Sequence, residues 1–130
     1  MNKKIAPLSL PITGDTPTRK MVYQKDVLKS AIDDYLKLDK SLRLCTIEYT
    51  GEYADITKIG FTIDDIYEKD NVFYADIQCL QSLNGKYTKN IIETCGKFIN
   101  LSIGGYQKIL NNSVHVLQIN YFALNPIPSK

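Results

Sequence analysis

The sequence predicts an α+β domain: a mostly antiparallel sheet or small β-barrel with two flanking helices. Three observations carry that prediction. Apolar residues at helical spacing occupy one face of residues 27–36. Two alternating runs, 56–67 and 72–80, flank a polar EKDN turn. The period then turns helical again over 83–95, before two further apolar stretches that read as strands.

Taken in order, residues 1–20 hold three of the five prolines, Pro7, Pro11 and Pro17, together with Gly14. Proline fixes φ and removes an amide donor, so this stretch is expected to be an extended N-terminal arm that orders against a neighbour. A single domain is expected over 21–124, with 125–130 as a proline-stopped tail. In VYQKDVLKSAIDDYLKLDK, Val27, Leu28, Ala31, Ile32, Tyr35 and Leu36 share a face while Lys29, Asp33, Asp34 and Lys37 lie away from it. That is an amphipathic helix. LRLCTIEY at 42–49 suits a strand, broken by Thr50 and Gly51. Ile59, Phe61 and Ile63 then alternate with Lys58, Thr62 and Asp64, and Phe73, Ala75, Ile77 and Cys79 alternate after the turn, which predicts a β-hairpin. Tyr87, Ile91, Ile92 and Cys95 mark a second helical face, with Gly96 at the position that ends a helix. FINLSI at 98–103 reads as a short strand, GGYQKILNNS as a loop or a loop with a helical turn, and VHVLQINYFAL at 114–124 as a last long strand.

Bulk properties exclude several function classes. At 130 residues the chain suits one domain, and a 44% apolar share is enough for a modest core. A net charge of +2, with lysines spread along the chain, implies no nucleic-acid partner. No stretch approaches the roughly 20 apolar residues of a membrane span, and the start lacks the apolar core of a signal peptide. Cys45, Cys79 and Cys95 are odd in number and widely spaced, without a CxxC pair. They read as free thiols in a reducing compartment, not as a zinc site, and no metal or cofactor is expected.

Candidate chemistry centres on FINLSIGGYQ at 98–107, where Ser102 precedes Gly104 and Gly105. A hydroxyl at the end of a buried strand, followed by flexible backbone, is one way to place a nucleophile. A serine hydroxyl needs a base, most often histidine, and the chain has one histidine, His115, which follows Ser102. Asp33–Asp34 and Asp64–Asp65 are adjacent pairs whose side chains point apart, and Glu48 and Glu52 flank a turn, so no facing carboxylate pair emerges.

The run from Arg19 to Gly105 resembles the prohead (core) proteases of tailed bacteriophages, which share a broad fold group with the herpesvirus assemblins. Members begin with a segment like NGR-x-Y-P-x-x-V-L-x-x-A-I-x-x-Y; this chain has TRKMVYQKDVLKSAIDDY at 18–35. Their GE-x-x-H-P element is met by TGEYADI, with Gly51 and Glu52. Their V-S-H-x-I-x-D-I strand is met by KIGFTIDDI at 58–66, and their L-x-T-P-x-G-K-x-L by Leu80, Gly85 and Lys86. Their G-x-x-x-x-x-S-x-R-G, which holds the nucleophile, is met by GKFINLSIGG with Ser102. A closing strand that reaches V-x-x-P has its counterpart in INYFALNPIP.

The departures fall on the chemistry. At the first histidine position Tyr53, Ala54 and Asp55 follow Glu52; at the second stand Gly60 and Phe61. Gly104 replaces the usual arginine. Removing one member of a catalytic triad costs about four to six orders of magnitude in turnover. The resemblance therefore implies a prohead-protease-like fold with no catalytic residues. Ser102 would be a vestigial nucleophile position, and the lost histidines would lie near Asp55 and at Phe61. It further implies an auxiliary or decoration protein of the virion that binds the major capsid protein, assembles in the bacterial host cytoplasm and forms a homo-oligomer, its arm and tail lying across neighbouring subunits. The alternative is an active maturation protease with a non-standard base: a lysine such as Lys97 or Lys108, a carboxylate near Ser102, or His115.

Overall fold

The computed structural model describes residues 8–14, 22–95, 99–111 and 113–126. Seven strands and two helices follow in the order β1 (Leu8–Gly14), β2 (Val22–Tyr23), α1 (Lys25–Tyr35), β3 (Leu44–Thr46), β4 (Ile59–Lys69), β5 (Val72–Cys79), α2 (Leu83–Cys95), β6 (Ile99–Leu110) and β7 (Ser113–Pro126). Single 3-10 turns at Lys40–Leu42 and Ile56–Lys58 flank β3 and precede β4. Six strands close on themselves in the order β7–β3–β4–β5–β1–β6–β7, and β2 pairs with the start of β7 at Ser113 and Val114. Pairing is antiparallel except β1–β6, β2–β7 and β3–β7. The expected α+β barrel with two helices is what forms.

Alternation decides which side chains fill the barrel. Phe61 and Ile63 of β4, Ala75 and Ile77 of β5, and Leu101 and Ile103 of β6 all belong to one buried cluster. The β4–β5 hairpin turns through Asp70 and Asn71, both at positive φ (52° and 66°), the two left-handed residues that a tight two-residue hairpin needs. This is the EKDN turn of the sequence. Helix α1 lays Ala31, Ile32 and Tyr35 onto the core; the Tyr35 ring meets Phe122 of β7 edge-on at 5.1 Å. Helix α2 lies so close to β4 that a side chain at Gly60 would sit 2.5 Å from Thr88 Oγ1.

Two expectations are corrected. Residues 8–14, assigned to the N-terminal arm, are the barrel strand β1, held between β5 and β6 with Leu10 and Ile12 buried. The apolar alternation of Leu10 and Ile12 outweighs Pro11, because pairing with β6 begins only at Ile12. Residues 104–110, read as a loop, continue β6 against β7. The rest of the arm, Gly96, Lys97 and the end of the tail lie outside the described residues.

Arg43 is buried with no carboxylate partner among the described residues. Its guanidinium donates to Leu36 O (2.6 Å), Leu38 O (3.0 Å) and Asp64 O (3.0 Å), satisfying carbonyls at the end of α1 and on β4. A lysine cannot reach all three with one ammonium, so Arg43→Lys is expected to cost about 2 kcal/mol in a denaturant titration.

Cys45 shows the core from the chemical side. Burial pushes its thiol from 9.0 up to about 12. Folding therefore opposes its ionisation, and the stability tied to the neutral thiol is present below pH 9, then lost as pH rises from about 9 through about 12. In a Cys79→Ser/Cys95→Ser background, Cys45 is expected to resist a disulfide reagent at pH 8 until denaturant is added. Fast reaction of the native protein would mean that the barrel opens beside α1.

Candidate functional site

The site builds from the two faces of β6. Ile99, Leu101 and Ile103 point into the core, so Asn100, Ser102 and Gly104 point out. They are nonetheless covered: Ser102 is 0% exposed and Asn100 4%. Across β7 the register sets Asn125 opposite Asn100, Ala123 opposite Ser102 and Tyr121 opposite Gly104. Thr46 of β3 pairs with Ala123 on its far side, and Gly14 of β1 pairs with Ser102. The row through Ser102 thus reads Gly14, Ser102, Ala123, Thr46, and none of these four carries an ionisable side chain.

Tyr121 dominates the next row. A Cβ added at Gly104 would land inside its ring, so the glycine is required by close approach and not by a turn. The phenol donates to Gly51 O (2.7 Å) and accepts from Thr50 N (2.8 Å). Thr50 Oγ1 lies 3.2 Å away, and Asn120 Nδ2 donates to Glu52 O (2.9 Å). These bonds strap the 50–52 segment onto the outer face of β7. Burial holds the Tyr121 phenol above its ordinary value, so it stays protonated and offers no base.

The structure separates the residues singled out in the sequence. Phe61 is fully buried inside the barrel, while Ser102 faces outward; a histidine at 61 would therefore have the sheet between it and Ser102. Asp55 sits on the exposed connection before β4, where its carboxylate accepts from Thr57 N (2.9 Å) and Thr57 Oγ1 (2.7 Å). These bonds hold its acid below the usual carboxylate range. His115 is exposed on β7, eight residues before Ala123, which at about 3.3 Å per residue places it roughly 25 Å along the strand from the Ser102 row. Lys108, also exposed, is six residues past Ser102 on β6, roughly 20 Å away. Lys97 lies outside the described residues. No group of three His, Cys, Asp or Glu side chains among the described residues could hold a metal.

Sequence reasoning missed Tyr121, its strap and Asn100, whose Oδ1 is buried without a hydrogen-bond partner. One signal was available: a glycine inside a strand pattern marks close approach of another group.

Among solved structures, the chain is similar to the bacteriophage T4 capsid assembly protease, gp21. The two share 18% identity at a TM-score of 0.62, over 92% of this chain and 78% of that one. The likeness is one of fold. No family model and no curated protein matches the chain.

Proposed function

We propose that the chain is an auxiliary or decoration protein of a tailed-phage capsid, built on a prohead-protease-like barrel that no longer cuts peptides. One observation carries this reading: Ser102 is enclosed, in a row whose partners are Gly14, Ala123 and Thr46. A serine proton needs an acceptor in hydrogen-bond reach, and a substrate carbonyl needs access to the oxygen. None of those row partners carries an ionisable side chain, and burial closes the Ser102 oxygen to a substrate carbonyl. The fold likeness to a capsid assembly protease supports association with a phage head, where the partner would be the major capsid protein and the setting the virion.

The test is to incubate the protein and Ser102→Ala with the capsid and scaffold proteins of the same phage. Cleavage is followed by mass spectrometry and binding by co-sedimentation. Equal binding of both forms without cleavage is the expected result. Cleavage that vanishes in Ser102→Ala would overturn the reading in favour of a protease with another base; absence of capsid binding would overturn the structural role.

A further inference from the structure

Away from the Ser102 row, the outer face of the barrel across β4, β5 and β1 is built from aromatic and acidic side chains. Ile66, Ala75 and Leu10 point into the core, so Asp65 and Tyr67, Tyr74 and Asp76, and Ser9 and Pro11 point out. The register sets Tyr67, Tyr74 and Pro11 in one row and Asp65, Asp76 and Ser9 in the next. The Tyr67 and Tyr74 rings stack, with centroids 5.7 Å apart and planes at 20°. The Tyr67 phenol reaches across β5 and donates to Ser9 Oγ (3.1 Å), and Ser9 Oγ donates in turn to Asp76 Oδ1. The ring and the carboxylate are thus fixed by one hydrogen-bond chain. Ser9, Asp65 and Tyr67 are exposed, so the face is open.

The charges on it are not compensated. Asp65 and Asp76 are directly opposed across β4 and β5, which sets their Cβ atoms about 5 Å apart, and like charges so placed cost stability. Their hydrogen bonds come from neutral donors, Ile66 N to Asp65 Oδ1 (2.9 Å) and the Ser9 hydroxyl to Asp76. Among the described residues the ion pairs join Lys25 to Glu68, Lys37 to Asp34 and Lys58 to Glu48, and none reaches either carboxylate. Lys69 stands on the same face, but four residues along β4 from Asp65, roughly 13 Å away. A cation that completes this face must meet two carboxylates and lie against a flat ring. A guanidinium does both, with paired N–H donors and a planar, weakly hydrated surface; an ammonium offers a point charge and no flat side.

We propose that this face seats an arginine side chain presented by a partner protein, its guanidinium held by Asp65 and Asp76 beside the Tyr67–Tyr74 pair. The inference is read from this face alone and stands apart from the capsid reading.

The test is a titration of the ¹⁵N-labelled full chain with the blocked peptide acetyl-Gly-Gly-Arg-Gly-Gly-amide, followed through backbone amide signals. Peptides with lysine or the neutral isostere citrulline in place of arginine serve as controls. Saturable shifts confined to the neighbourhood of Ser9, Asp65, Tyr67 and Asp76 are expected with arginine. Binding of the lysine peptide is expected to be weaker by about threefold or more, and the citrulline peptide is expected not to bind. Asp65→Asn/Asp76→Asn, checked for folding by circular dichroism, is expected to weaken the arginine peptide by about tenfold while gaining stability from the lost repulsion. Shifts that do not saturate, that map elsewhere, or that are equal for arginine and citrulline would overturn the site. Shifts of the same signals with protein concentration alone would assign the face to a second copy and overturn the partner.

Discussion

Phe61→His, the substitution that returns a histidine to the position the resembled pattern assigns it, is expected to destabilise the protein by about 3–4 kcal/mol and to create no hydrolase. Phe61 is fully buried, between Cys45 and Cys79 in the barrel register. An imidazole there removes apolar contact and buries a ring nitrogen with no partner provided for it. Ser102 projects from the opposite side of its strand, so the new ring and the hydroxyl cannot share a proton. Guanidinium unfolding measures the first effect. Labelling by a serine-directed fluorophosphonate, together with digestion of denatured casein, measures the second. Labelling of Ser102 in the variant and not in the wild type would show that the two side chains do meet, and the face assignment of β4 or β6 would be wrong.

The second large effect is expected where Gly104 meets Tyr121. Gly104→Ala places a methyl inside the tyrosine ring and is expected to cost about 3 kcal/mol through overpacking. Tyr121→Ala removes a buried ring and its bonds to Thr50 and Gly51, and is expected to cost about 4 kcal/mol. The double variant is expected to be no worse than Tyr121→Ala alone, because alanine at 104 then has room and strengthens the strand. The cycle should therefore show a coupling of about 3 kcal/mol, read from denaturant titrations of all four proteins. Additive losses would mean that the ring does not lie over Gly104. While Tyr121 fills this space, no side chain larger than hydrogen fits at 104.

The elements were legible where one period ran uninterrupted. The α1 face at Ala31, Ile32 and Tyr35, the hairpin around Asp70 and Asn71, and the α2 face with Ile92 all appear in the pattern of apolar residues. Misreadings fell where local residues spoke against a strand that distant partners stabilise. Pro11 argued for an irregular arm, yet β1 is sandwiched between β5 and β6. Gly104 and Gly105 argued for a turn, yet β6 runs on because β7 pairs with it to Leu110. Propensity is a local quantity, and a partner strand far along the chain can outweigh it.

The site divides in the same way. By itself the sequence determined that Ser102 has no histidine before it and that the single histidine comes late. Those are facts of order and identity. Only the tertiary structure decided which of these residues face one another. It set Ala123 and Thr46 on the Ser102 row, turned Phe61 to the other side of the sheet, carried His115 to the far end of β7 and brought Thr50 and Gly51 onto Tyr121. The physical reason is the two-residue period of a strand combined with barrel closure. A shift of one residue in register exchanges inside for outside, and register between strands distant in sequence is chosen by the burial of whole faces, not by any single residue.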